Sequence, residues 1–364
     1  MRTACWLLQL PIIAWLASGS TLPEETSLGD VRRCQGSLGK YGACECLETT
    51  VTCINTQFTD TDVFLHVDHN HYKYVTRITF HGNNFVELPF TPLFGVDNHE
   101  RLDLLNISAN YIVKLHPEAL RGMPNLRVLD LSNNEIVLKE DDIGFLSHTR
   151  NLLRLYLRHA FNQSVNRTIQ FDLMERMFEN ARLNSLTELD LSYNFFKTLP
   201  YNLGCHFPAL THLSLRQNLL ETVELNVTCL QRLETLDLRT NLMHTLSHDF
   251  RKNFANSLPD YSLVLANQFH CDCNSHAYIS WIRSTHKVRD KDSFKCSRAS
   301  PELYVGTKLM DVPLEKLDCS VRLTGAGVSS APSWRCFSVL FIHPVTVASL
   351  TCAFATVVQS LTIG

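Results

Sequence analysis

The stretch Leu102-Asp103-Leu104-Leu105-Asn106-Ile107-Ser108-Ala109-Asn110-Tyr111-Ile112 decides how this chain is read. Its key positions follow L-x-x-L-x-L-x-x-N-x-L, and the same spacing returns as Leu126, Leu129, Leu131, Asn134, Ile136. Further copies run from Leu186 to Phe196 with Asn194, from Leu210 to Leu220 with Asn218, and from Leu233 to Met243 with Asn241. An earlier one is Val75, Ile78, Phe80, Asn83, Phe85, and a variant at Leu152, Leu155, Leu157 carries Ala160 in the asparagine slot. Self-similarity at a period of roughly 20–29 residues means stacked supersecondary units, each unable to bury its apolar face alone.

The unit is the leucine-rich repeat, so the expected fold class is α/β: a solenoid with a curved parallel sheet and disulfide-bonded caps at both ends. The L-x-L alternation turns leucines inward on one short strand per coil, and each buried side chain contributes roughly 1.5–3 kcal/mol. The asparagine answers a different need. Where the strand bends away, backbone groups lose their ladder partners inside the solenoid, and an amide side chain with both donors and acceptors can take them up. The column Asn83, Asn110, Asn134, Asn194, Asn218, Asn241, Asn267 is therefore read as structural. Nothing in the chain points to an enzyme: there is no nucleophile elbow, phosphate loop or H-E-x-x-H helix, and the histidines are scattered. No cofactor is expected.

A net charge of −3 over 364 residues, with no basic stripe, argues against nucleic acid as a partner. Arg2, the apolar run Trp6 to Leu16 and Ala17-Ser18-Gly19 read as a secretory signal peptide, too short to span a bilayer. Leaving out Cys5, Cys336 and Cys352, ten cysteines remain. Cys34, Cys44, Cys46 and Cys53 precede the repeats, and Cys271, Cys273, Cys296 and Cys319 follow them, as disulfide-closed caps would require. Spacing alone leaves three connectivities in each set. Cys205 and Cys229 fall one residue out of register in consecutive coils, which predicts a fifth bridge. Glycosylation sequons stand at Asn106, Asn162, Asn166 and Asn226. The run His66, Asp68, His69, His71 has metal-ligand types but is read as a solvated edge of the cap, so no metal site is expected.

Beyond Cys319 a small-residue linker leads to an apolar stretch from Cys336 to Gly364 with no charge after Arg335. His343, Pro344 and Gln359 interrupt it, and no basic cytoplasmic flank follows. Small residues, a polar spacer and an apolar tail favour a removable lipid-anchor signal over a spanning helix. The expected organisation is a signal peptide at 1–19, a cysteine-rich N-terminal cap at 34–74 and repeats at 75–267. A C-terminal cap at 268–320, a stalk at 321–335 and an apolar tail at 336–364 complete it.

An enlarged segment at 161–184 interrupts the repeats. It holds two sequons, and the spacing of Phe171, Met174, Phe178 and Ala181 predicts a helix. This interruption, the Asn106-Ile107-Ser108 sequon inside a strand, the run Asn267 to Cys273, Trp281 with Ile282, and the ending Leu317-Asp318-Cys319 resemble the trophoblast glycoprotein family. The resemblance covers about Cys34 to Cys319. Resemblance to the caps of such solenoids implies the pairs Cys34–Cys46, Cys44–Cys53, Cys271–Cys296 and Cys273–Cys319. Family resemblance further implies a glycoprotein on the extracellular face of the cell membrane that dampens β-catenin-dependent Wnt signalling, with Wnt-pathway components or a co-receptor as protein partners. The alternative is an adhesion or neuronal recognition receptor without Wnt activity.

The ligand surface is expected on the concave face, at positions flanking the paired leucines. One column reads Thr79, Asn106, Asp130, Tyr156, Asp190, Ser214, Asp237, and the next His81, Ser108, Ser132, Arg158, Ser192, Arg216, Arg239. A preceding column includes Leu104, Val128, Arg154, Glu188 and His212. A glycan at Asn106 would obstruct the N-terminal half. The candidate site is then Arg154, Tyr156, Arg158, His212, Arg216 and Arg239, a composition expected of an interface. The competing expectation is a solvated charged sheet in which Arg158 pairs with Glu188 or Asp190, and Arg239 with Asp237.

Overall fold

The computed structural model describes residues 32–319, so the expected signal peptide, stalk and apolar tail lie outside the described residues. The described chain enters through β1 (Arg32–Arg33), turns through α1 (Leu38–Tyr41), and returns as β2 (Glu45–Cys46), antiparallel both to β1 and to β3 (Thr50–Ile54). From β3 to the last strand of this sheet every pairing is parallel and follows chain order. The strands are β4 (Arg77–His81), β5 (Leu104–Asn106), β6 (Val128–Asp130), β7 (Arg154–Tyr156), β8 (Glu188–Asp190), β9 (His212–Ser214), β10 (Thr235–Asp237) and β11 (Leu263–Val264).

Register follows from the leucines. Val51, Ile78, Leu105, Leu129, Leu155, Leu189, Leu213, Leu236 and Leu263 oppose one another across the sheet, and all are buried. A one-residue slip would carry that whole row to the solvent face, so the pattern admits one register. Just before the asparagine slot, seven coils adopt the left-handed backbone region. Gly82, Ala109, Asn133, His159, Tyr193, Gln217 and Thr240 have φ between 47° and 71°. For the non-glycine residues this conformation costs roughly 1–2 kcal/mol each, offset by the bonds of the asparagine that follows in every case but His159, where Ala160 follows.

Those bonds form a ladder along the bends, interrupted at Ala160. The Asn134 Oδ1 accepts from the N–H of Asn110 and of Ile112, both at 3.0 Å, while its Nδ2 donates to Ile107 O and Leu131 O. Asn218 repeats this with Asn194 and Phe196 as donors and Leu191 and Leu215 as acceptors.

The enlarged segment forms α2 (Arg167–Ala181), capped by Asn166, whose Oδ1 accepts from Thr168 N at 3.0 Å. Leu173, Met174, Met177, Phe178 and Ala181 are buried, Phe171 is half-buried, and the Phe178 ring lies 5.0 Å from Phe207. One helix residue the hydrophobic pattern does not single out is Gln170. It is buried, and it accepts from Leu138 N at 2.8 Å and donates to Leu138 O at 3.0 Å.

At the N-terminal edge, Cys34–Cys46 and Cys44–Cys53 tie the antiparallel strands over the first coil. At the other end β12 (Phe269–Cys271), α3 (His276–Ser284) and β13 (Cys296–Ala299) cover the last coil, joined by Cys271–Cys296 and Cys273–Cys319. Trp281 Nε1 donates to Asn256 Oδ1 at 3.1 Å, tying the cap to the repeats. Cys205 and Cys229 bridge consecutive coils with Cα atoms 4.8 Å apart.

Candidate functional site

The columns expected to face outward are not uniformly open. Ser108, Ser132 and Ser192 are buried, as are Val128 and Asp237. The physical reason is local. Asp130 Oδ1 accepts the N–H of Ser132 at 2.9 Å, and Asp190 does the same for Ser192 at 2.8 Å. These two-residue side-chain turns draw the serines into the bend and occupy the aspartates with their own backbone. Asn106 takes the aspartate place in its coil: its Oδ1 accepts from Ser108 N at 2.9 Å and from Ser108 Oγ at 2.6 Å. The sequon is therefore also a structural turn. Asn162, Asn166 and Asn226 likewise accept from the N–H two residues on.

The expected ligand residues lie on or just beyond β7, β9 and β10, with β8 between the first two. Arg154 and Tyr156 are on β7 with Arg158 two residues past it, His212 is on β9 with Arg216 two past it, and Arg239 lies two past β10. Their surroundings differ. Arg239 is committed to Asp237 through Nη2–Oδ2 at 2.6 Å and Nε–Oδ1 at 2.9 Å, as the charged-sheet expectation has it. Arg158 instead lies over the Tyr193 ring, 4.2 Å from its centroid, and is exposed. Guanidinium and phenol stack because the left-handed turn at Tyr193 swings its ring toward the preceding coil. Tyr156 is half-buried beside Glu188 and Arg154; burial, then the Glu188 charge, holds its phenol above the ordinary value. Arg154 and His212 are exposed, and the buried Nε of Arg216 has no hydrogen-bond partner.

The structure thus brings together Arg154, Tyr156 and Arg158, with Tyr193 added and Arg239 turned inward to Asp237. Tyr193 was missed because it lies outside the strand columns; the available signal was its place directly before the ladder asparagine. Its neighbour Phe195 is also exposed, with its ring 6.1 Å from His159. The histidine run of the N-terminal cap does not converge. Asp68 takes up the His71 ring at 2.8 Å, whereas His66 meets the Tyr41 hydroxyl at 3.2 Å. Among the described residues no group of three or more His, Cys, Asp or Glu could hold a metal ion.

Parallel coils, an asparagine ladder and paired cysteine caps define an extracellular leucine-rich repeat protein. Family models described as leucine rich repeat match residues 100–163 and 185–206. The chain is a homologue of trophoblast glycoprotein. It is 29% identical to the Mus musculus protein over 328 residues, 85% of this chain and 72% of that protein. With the Macaca fascicularis protein it shares 27% identity over 288 residues, 76% of this chain and 66% of that one. The crystal structure of human 5T4 (Wnt-activated inhibitory factor 1, trophoblast glycoprotein) superposes with a TM-score of 0.62 at 27% identity, covering 76% of this chain and 98% of that one.

Proposed function

We propose that this chain is a membrane-tethered extracellular binding protein whose concave face engages a protein ligand, and that it dampens β-catenin-dependent Wnt signalling. The carrying observation is the likeness to a solved protein also named Wnt-activated inhibitory factor 1, at 27% identity and over 76% of this chain. The site is the patch of Arg154, Tyr156, Arg158, Tyr193, His212 and Arg216. Arginine and tyrosine dominate interface hot spots, and a guanidinium already resting on a ring loses less freedom when a ligand arrives. Asp130 and Asp190 are engaged with backbone and Asp237 with Arg239, leaving Glu188 beside Tyr156 as the one nearby carboxylate among the described residues not so engaged, so the patch favours a ligand bringing acidic groups of its own. A glycan on Asn106, four strands earlier than β9, confines that ligand to the C-terminal half.

The test is a β-catenin reporter in cells expressing the full chain or Tyr156→Ala with Arg158→Ala, compared at equal surface abundance. Inhibition is expected to drop at least about fivefold, equivalent to a hot-spot loss of roughly 1 kcal/mol or more. Unchanged inhibition by the double variant eliminates this site, and no inhibition by the parent chain overturns the Wnt reading.

A further inference from the structure

Away from the sheet, the loops of three consecutive coils enclose a cleft of about 460 Å³, within the ~300–1,000 Å³ span of small-ligand clefts. Val223 and Phe250 make an apolar floor, 2% exposed each, while Glu224, Asp249 and Asn253 stand exposed at the rim. One wall is Tyr201, whose side chain is 60% exposed. A mixed rim, an apolar floor and a bare aromatic wall match the chemistry of a sugar, which presents C–H faces and hydroxyls together. The chain supplies such a ligand itself. Val227, the middle residue of the Asn226 sequon, lines the cleft.

The backbone N–H of Asn226 donates to Tyr201 O at 2.8 Å, and its Nδ2, the atom that carries a glycan, lies 3.3 Å from Asn202 Oδ1. The attachment point is thereby held beside the tyrosine wall. Thr228 Oγ1 donates to Asn226 Oδ1 at 2.7 Å, and the Cys205–Cys229 bridge pins the loop directly after the sequon. We propose that the cleft is a carbohydrate seat, filled by the proximal N-acetylglucosamine residues of the chain's own Asn226 glycan. The sugar packs on Tyr201 and hydrogen-bonds to the Glu224, Asp249 and Asn253 rim. This glycan is part of the folded surface instead of a solvated appendage. The proposal requires passage through the secretory pathway and is independent of the concave-face ligand.

The test is site-resolved deglycosylation of the full chain made in mammalian cells, using peptide-N-glycosidase under native conditions with mass-spectrometric readout. Release at Asn226 is expected to be about tenfold slower than at exposed Asn166, the rate equivalent of ~1.4 kcal/mol, and equally fast after denaturation. Tyr201→Ala removes the protection without changing release at Asn166, and Tyr201→Phe retains it. An unoccupied Asn226, release as fast as at Asn166, or undiminished protection in Tyr201→Ala would each overturn the proposal.

Discussion

The coil of Leu210 to Leu220 and the coil of Leu152 to Phe161 lie in one sheet with the same register, yet they satisfy their bends differently. In the first, Asn218 takes up two backbone donors and two acceptors. In the second, Ala160 offers no side chain that could do so, and the neighbours close the gap. Leu131 O is bonded by Asn134 and Leu157 O by Asn194, while Ile136 N donates to Ala160 O at 2.8 Å in a parallel bridge between Ile136 and Phe161. Two residues beyond Ile136, Gln170 of α2 clamps Leu138. The requirement imposed by the fold is therefore paired backbone; asparagine is its commonest solution, and an inserted helix is another.

The sharpest way to break this comparison is Asn218→Ala. Four buried hydrogen bonds disappear together, each worth about 1 kcal/mol with orphaned partners left behind, so a loss of about 4 kcal/mol is expected. Urea denaturation reads the total. Hydrogen exchange at the amides of Asn194 and Phe196 reads its place, because repeat solenoids open locally. A loss under about 1 kcal/mol would mean that water substitutes for the ladder.

A second irregular slot lies near the N-terminal cap. Met123, Leu183, Phe207 and Leu230 fill an apolar position three residues before their repeats, Thr149 holds it before Leu152, and His99 stands there in its own coil, 3% exposed. Its Nε2 has no hydrogen-bond partner, and its ring lies 5.2 Å from Phe94 and 5.9 Å from His69. Burial first, then the neighbouring His69, lowers its pKa from 6.5 to about 4, against the weaker pull of Asp97 and Asp68. The folded chain thus favours the neutral ring, whereas the unfolded chain binds a proton from pH 6.5 downward. Its stabilising contribution is complete above pH 6.5 and is lost as pH falls toward about 4, a change of roughly 3 kcal/mol. In His99→Leu that portion of the acid slope should vanish from thermal melts between those pH values. A slope identical to the parent chain would assign it to other groups.

The leucine and asparagine columns were legible because their contacts repeat with the sequence period, so one coil explains its neighbours. The cap connectivities were not fixed by spacing, since each set of four cysteines can pair in three ways. Arg158 on Tyr193 and Arg239 on Asp237 look equivalent as text, an arginine two residues past a strand in both coils. What separates them is whether the neighbouring left-handed position supplies an aromatic ring or the strand's own aspartate closes back. The buried serines escaped for a related reason: side-chain turns spanning two residues override the outward sense of the alternation.

The smallest expected effect belongs to the inserted helix. Gln170→Ala removes two buried bonds to Leu138, for a loss of about 2 kcal/mol, while the packing of Leu173, Met174 and Phe178 persists. The Arg176–Glu140 pair at 2.7 Å also connects α2 to the preceding coil, but both partners are well exposed, and such pairs contribute little. Exchange should therefore rise at the Leu138 amide and across α2 while the Asn194 to Asn267 ladder keeps its protection. If protection at Asn218 falls equally, the helix and the ladder form one cooperative unit, and the insertion is not a local solution to a missing asparagine. If neither changes, the bridge between Ile136 and Phe161 suffices alone, and Gln170 only fills space.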